Sequence, residues 1–396
     1  MQQVFSEMFS GVTYLFTAEG VKCLAMFVIA GVLIYLAVKK DYEPSLLLPI
    51  GFGAILANLP PVLGSAFPSA LGEEGFLTVL FNAGIANELF PILIFIAVGA
   101  MIDFSPLLKD PSMIFFGAAA QFGIFATFLV SLALIPVVLP GVASDEVLRL
   151  ASAIGIIGAA DGPTTLYVAN HFNLAKYMAP ISVAAYSYMS LVPVIQPPII
   201  KALTTKQERM IRMDYHEDRC SRTTLILFPI VVTVVAGILV PMSAPLVGSL
   251  MFGNLIRECG VLERLSKTAQ NELANLVTIL LGLTIGSTMV AQNFLRLDTL
   301  LIMALGLFAF VFDTAGGVLF AKLLNLFRKK KVNPMIGAAG ISAFPMSSRV
   351  VAKMALKEDP SNFILMQATS ANVAGQLGSI VAGGMVITLV SMMLGA

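Results

Sequence analysis

Ile154 to Phe172 reads IGIIGAADGPTTLYVANHF, an apolar stretch fit for a bilayer except at its centre, where Asp161 stands between Gly158 and the pair Gly162–Pro163. Glycine weakens a helix and proline removes a backbone donor, so a regular helix ends beside that acid. An ionised carboxylate in hydrocarbon costs at least about 2.5 kcal/mol on the most lenient scales. Broken backbone at membrane depth is tolerated only where protein or a water-filled cavity covers its polar groups. The stretch therefore points to a covered polar site. A plainer role, in which Asp161 only caps the helix that restarts after the break, stands beside it.

Composition gives the setting. The 396 residues are 58% hydrophobic and 12% charged, with a mean hydropathy of +0.90, more apolar surface than a water-soluble fold hides. A net charge of +1 gives nucleic acid nothing to bind. Cys23, Cys220 and Cys259 lack metal-ligand or redox spacing, and His171 and His216 fall in loops. Residues 1–20 show no cleavable signal pattern and carry Phe, Met and Leu at helical intervals, which predicts an interfacial amphipathic helix. The expectation is an all-α, multi-pass protein of the cytoplasmic (inner) membrane.

Apolar runs fall near 21–38, 45–66, 89–108, 113–139, 178–200, 223–247, 273–292, 299–327 and 363–394. Two further segments, 148–175 and 332–357, are apolar but rich in Gly, Pro and hydroxyls. The chain also echoes itself. PIGFGAILANL from Pro49 matches PLVGSLMFGNL from Pro245, NELFPILIFIAVG from Asn87 matches NELANLVTILLG from Asn271, and IGAADGPTT from Ile157 matches IGAAGISAFPMSS from Ile336. The common order of the three pairs argues for a duplicated unit, 21–205 and 223–396, joined by a linker at 206–222.

Basic residues orient the halves. Lys39–Lys40, six Lys and Arg between Lys201 and Arg222, and RKKK at 328–331 all belong on the cytoplasmic side. The second-half counterpart of Lys39–Lys40 is the uncharged VPMSAP at 240–245, and the first-half counterpart of RKKK lies near SDEVLR at 144–149. A basic loop facing a non-basic one predicts two repeats of inverted topology. The orientation closes only if 148–175 and 332–357 are re-entrant hairpins from opposite sides, meeting near the midplane.

Between the hairpins, the sequence supplies Asp161, Asn333, Ser342, Ser347, Ser348 and Arg349, with Tyr186, Ser187, Tyr188, Thr369, Ser370 and Asn372 on the helices that follow. One carboxylate among neutral oxygens suits a monovalent cation, sodium first and a proton as its competitor. Asn333 before Pro334 is equally an ordinary helix start, and Tyr188 can be packing with a satisfied hydroxyl. Asp313 is a second intramembrane acid with no broken segment evident around it. Arg349 can present a fork of donors to an anionic group arriving from the cytoplasm; Lys353 and Lys357 behind it read as positive-inside anchors.

GIIGAADGPTTLYV, VAAYSYMSLVPVIQPPI, LLLPIGFGAILANLP, FGNLIRECGVLERL and NPMIGAAGISAFPMSSRV together resemble the β subunit of the sodium-pumping, biotin-dependent decarboxylases of oxaloacetate, methylmalonyl-CoA and glutaconyl-CoA. The resemblance runs from about residue 20 to the C-terminus. It implies decarboxylation of carboxybiotin coupled to sodium export and proton consumption. The biotin would come on a separate carrier, since no Ala-Met-Lys-Met attachment motif is present. It further implies a carboxyltransferase α subunit, a small single-span subunit and a trimer of β subunits in membrane lipid. The family's aspartate and tyrosine fall on Asp161 and Tyr188. Its second-hairpin asparagine, glycine, serine and arginine fall on Asn333, Gly337, Ser342 and Arg349, and a last-span asparagine on Asn372. The resemblance thus implies sodium at Asp161, Asn333, Asn372, Ser342 and Gly337, carboxybiotin at Arg349 and Ser342, and catalysis by Arg349, Tyr188 and Asp161. The short loop between Pro60 and Asn87 tilts the expected substrate toward the acyl-CoA branch. A sodium-coupled secondary carboxylate transporter with the same hairpins is the alternative that composition alone leaves open.

Overall fold

A computed structural model describes residues 10–41, 44–62, 68–72, 74–213 and 220–395. Among the described residues the chain is helical throughout, without strands. The main helices are α1 (Ala18–Lys40), α2 (Pro44–Ala57), α3 (Leu89–Met101), α4 (Phe122–Val138), α5 (Ser144–Ile157), α6 (Gly162–His171) and α7 (Met178–Leu203). They continue as α8 (Arg222–Leu239), α9 (Ala244–Glu258), α10 (Ala274–Ser287), α11 (Leu297–Phe327), α12 (Met335–Ala338), α13 (Met346–Glu358) and α14 (Leu365–Leu394). Among the described residues five helices are long and apolar enough to cross a membrane, up to seven when two bent pairs are each taken as one span. Large apolar side chains such as Val28, Leu129, Val137, Val234, Ile238 and Leu389 stay exposed on the outer faces, where hydrocarbon rather than water suits them.

Three stretches gain detail from the structure. Of the interfacial helix expected over 1–20, residues 1–9 lie outside the described residues. The remainder is a short turn, Ser10–Tyr14, before α1 starts at Ala18 under a cap in which Thr17 Oγ1 accepts the Gly20 N–H at 3.1 Å. The run 113–139 is not one continuous α-helix: Ile114–Ala120 ends at Gln121 and α4 begins after it. The charged linker begins with ordered structure. Thr205 and Glu208 form a capping box over Lys206–Arg209, and Arg209 pairs with Glu358 at 2.8 Å, folding 204–213 onto the base of the second hairpin.

Packing between the two ends of the chain is reciprocal. Helix α2 lies along α10, and α9 lies along α3. Both crossings are close enough to need glycine: a Cβ on Gly286 would stand 2.2 Å from the Ile50 carbonyl oxygen, and one on Gly99 would stand 1.8 Å from that of Leu250. The asparagines that end the first echo do the same job at each crossing. Asn58 donates to the Met289 carbonyl at 2.7 Å and accepts from the Ala291 N–H at 2.8 Å, while Asn254 donates to the Ile102 carbonyl at 2.9 Å. Small side chains therefore bring the backbones together, and each buried amide satisfies the helix end that this exposes. Gly99→Ala and Gly286→Ala are each expected to cost about 1–3 kcal/mol in chemical unfolding of the detergent-solubilised protein, as overpacking does. Gly31→Ala, which meets nothing within 4 Å, is expected to cause no loss.

Candidate functional site

Helix α5 stops at Ile157 because Gly158 to Asp161 turn, with Ala160 forced to a φ of 53°. Helix α6 restarts at Gly162–Pro163, where proline's missing N–H leaves no bond unmade. Asp161 caps this second helix: its Oδ1 accepts the Thr164 N–H at 3.1 Å and its Oδ2 the Thr164 hydroxyl at 2.7 Å. The capping role read from the sequence is present, yet it does not exhaust the carboxylate. Ser379 of α14 donates its hydroxyl to Oδ2 at 2.7 Å, and the Gln376 amide lies 3.4 Å from the same oxygen. The side chain is buried, facing neither lipid nor bulk water, and its donors come from two distant parts of the chain.

The second hairpin touches the first at its tip. Both the N–H and the hydroxyl of Ser342 donate to the Ala159 carbonyl at 3.0 Å, and Ser342 lines the same cavity as Asp161. Asn372 on α14 donates to the Ile341 carbonyl at 2.6 Å, while its own Oδ1 is buried without a partner among the described residues. Tyr186 closes the near wall, its ring so close to Gly162 that a Cβ there would stand 2.4 Å from it. A cavity of about 280 Å³ is lined by Asp161, Tyr186, Ser342 and Gln376 together with Ser45, Met101 and Gln270.

The remaining residues of the expected set fall around this centre rather than in it. Asn333 sits at the base of the second hairpin. Its amide donates to the Arg209 and Ile211 carbonyls, each at 2.9 Å, and its Oδ1 accepts the Met335 N–H at 3.1 Å. Gly337 lies against Gly317 of α11, where a Cβ would come within 1.9 Å of the Gly317 carbonyl oxygen. Tyr188 donates its phenol to the Met303 carbonyl at 2.5 Å, tying α7 to α11. Arg349 is exposed on α13, one turn beyond Pro345 and Met346 of the cavity wall, and Lys353 and Lys357 follow on the same exposed side. Sequence reasoning missed Thr164, Gln376 and Ser379 as partners of the acid. The Asp-x-x-Thr spacing at 161–164 was the available signal for the first; no local pattern couples α14 to that turn.

The family model for the Na+-transporting oxaloacetate decarboxylase beta subunit matches residues 22–390. Among curated relatives, the methylmalonyl-CoA decarboxylase subunit beta of Veillonella parvula is 48% identical, covering 92% of this chain and 92% of its own. The protein of the same name from Propionigenium modestum is 45% identical over 92% of this chain and 94% of its own. The oxaloacetate decarboxylase beta chain of Klebsiella pneumoniae is 44% identical, again over 92% of this chain and 94% of its own. With its apolar helices, this makes the chain a multi-pass membrane protein that belongs to the family of Na+-transporting decarboxylase beta subunits.

Proposed function

We propose that the chain removes the carboxyl group from carboxybiotin, brought by a separate carrier, and couples the loss to sodium export across the cytoplasmic membrane. The observation that carries this reading is the buried Asp161, gripped by Thr164 and Ser379 in the wall of a cavity that Ser342 of the opposite hairpin also lines. Sodium, as the transported substrate, takes oxygens of Asp161, Ser342 and Asn372; the unpartnered Asn372 Oδ1 is the fit test that favours it. Asn333 and Gly337 act one step back. The first fastens the hairpin base to the connector, and the second lets the hairpin lie flat on α11.

The inverted repeat follows as part of the same reading. Its support is the reciprocal crossing of α2 on α10 and α9 on α3, with Asn58 and Asn254 in equivalent roles. Ser45, which lines the cavity, follows Lys39–Lys40 closely, so by the positive-inside rule this part of the cavity lies toward the cytoplasm. Arg349, exposed one turn beyond the lining residues Pro345 and Met346, orients an arriving carboxylate with its guanidinium; bound carboxybiotin supplies the group that is lost. Once carbon dioxide leaves, a proton must be taken up, and Asp161 holds a sodium ion and a proton poorly together, so release of one favours entry of the other. Tyr186, facing the acid, is better placed than Tyr188 to sense that exchange, since the Tyr188 phenol is committed to Met303. Coupling requires the sodium-bound and proton-bound forms to favour different conformations by a few kcal/mol.

Partners in this reading are the biotin carrier, a carboxyltransferase α subunit and a small single-span subunit, with three β subunits together. The acyl-CoA branch remains the favoured source of the carboxyl group, although relatives of both names are similar to this chain.

Asp161→Asn is expected to abolish sodium-dependent carboxybiotin decarboxylation while the complex still assembles; retained sodium stimulation would exclude Asp161 as the coupling acid. Ser379→Ala removes one donor to the ionised carboxylate and should raise the sodium concentration for half-maximal activity by about tenfold, the equivalent of roughly 1.4 kcal/mol. Arg349→Lys keeps the charge but loses the fork, so decarboxylation should fall more than sodium affinity in parallel turnover and binding measurements.

A further inference from the structure

At the end of α11 the chain doubles back on itself. The Asn325 side chain donates its amide to the Val332 carbonyl at 2.7 Å and accepts the Val332 N–H at 2.8 Å. This two-bond clasp folds the basic run 328–331 toward the helix it has just left. Facing the fold is the start of the charged linker. Its capping box at Thr205 and Glu208 is fixed to α11 by Lys322, which donates to the Leu203 carbonyl at 3.0 Å and pairs with Glu208 at 3.1 Å. Between the two lies a groove of about 700 Å³, whose described lining shares no residue with the cavity at Asp161.

The groove has two kinds of wall. Leu319, Leu323 and Leu326, at i, i+4 and i+7 on one face of α11, line it and are each more than half exposed. Lys322 and Lys331 line its polar side. Among the described lining residues Glu208 is the one carboxylate, and it is paired with Lys322. Lys331 is therefore left as net positive charge, with Arg328, Lys329 and Lys330 beside it in sequence. By the positive-inside rule this end of α11 lies at the cytoplasmic interface. A groove that is leucine-lined along a spanning helix and cationic where that helix leaves the bilayer is complementary to an amphiphile with a negative head. A soluble phosphate or an acidic peptide would use the charge and leave the leucine face unmatched.

We propose that this groove is a site for one anionic phospholipid, its acyl chains along Leu319, Leu323 and Leu326 and its headgroup on Lys331. Orientation of the helix and complementation of its C-terminal dipole require only that the basic run be present. The Asn325 clasp goes further, because it brings Lys331 over the leucine face. A lipid seated there would rest on the linker turn whose Arg209 and Ile211 carbonyls hold Asn333, at the base of the second hairpin.

Native mass spectrometry of the purified full-length chain, delipidated in detergent and titrated with phosphatidylglycerol or phosphatidylcholine, tests this. One phosphatidylglycerol per chain is expected to bind at concentrations where phosphatidylcholine does not. Lys331→Gln should weaken that binding about fivefold, the worth of one lysine near an anionic surface. Asn325→Ala keeps every charge but opens the clasp, and should weaken it by a similar factor. The double variant Lys39→Gln, Lys40→Gln removes two charges from the same side without touching the groove, and should bind as the wild type does. Equal phosphatidylglycerol affinity in Lys331→Gln and the wild type overturns the proposal. So does an equal loss in the Lys39, Lys40 variant, which would mean general charge attraction, and so does phosphatidylcholine binding as tightly. Should Asn325→Ala fail to fold, Lys331→Gln, on an exposed stretch, decides alone. If a second copy of the chain fills the groove instead, Leu323→Arg would lower the oligomeric state on sizing with lipid binding unchanged, and the proposal falls.

Discussion

A carboxylate taken out of water must find its donors in the protein, and at Asp161 those donors come from segments more than two hundred residues apart. Thr164 belongs to the acid's own helix, but Ser379 belongs to α14. The polar grip on one side chain therefore fixes how the first hairpin sits against the last helix. If α14 shifted along the hairpin, an ionised Asp161 would lose donors in a region where water cannot replace them. Under the proposed function, movement of the hairpin is tied to the charge state of the acid, the kind of coupling that ion transport requires.

Close backbone approach makes this grip possible. Gly375 rests against the Gly340 carbonyl, Gly337 against Gly317, and Gly117 against Ala374. Membrane helices gain little from burying larger apolar side chains against one another, because lipid is equally apolar; small residues instead let polar backbone and hydroxyls come within bonding distance. Helix α14, with its buried run of Ala, Gly and Ser between Gln367 and Gly384, is consequently the structural centre, although its own sequence reads as an ordinary span.

What was legible from sequence divides along the same line. The break at Asp161, the second broken segment and the self-echo were visible because Gly, Pro and charge interrupt apolar runs by local rules. The Asp-x-x-Thr cap was visible in principle for the same reason. The pairing of Asp161 with Ser379 was not, since small residues at those positions serve packing and hydrogen bonding alike and only tertiary approach decides between them. Asn333 carried two readings, helix start and cation ligand. Its Oδ1 accepts the Met335 N–H while its amide holds the connector carbonyls of Arg209 and Ile211, which no local pattern announces. The interruption of the helix at Gln121 left no Pro or Gly–Pro signal.

The echo between the hairpins also bears on what ion they hold. Aligning IGAADG with IGAAGI sets Asp161 against Gly340, so the acid occurs in one hairpin and not the other. The second hairpin contributes the Ser342 hydroxyl and the Ile341 carbonyl beside Asn372 instead of a second charge. Two facing carboxylates would hold a divalent ion, or share a proton, tightly enough to impede release. A single charge surrounded by neutral oxygens binds a monovalent ion loosely enough for protonation to displace it. On the proposed reading, the echoed pattern differs at the position where a second carboxylate would trap the cargo.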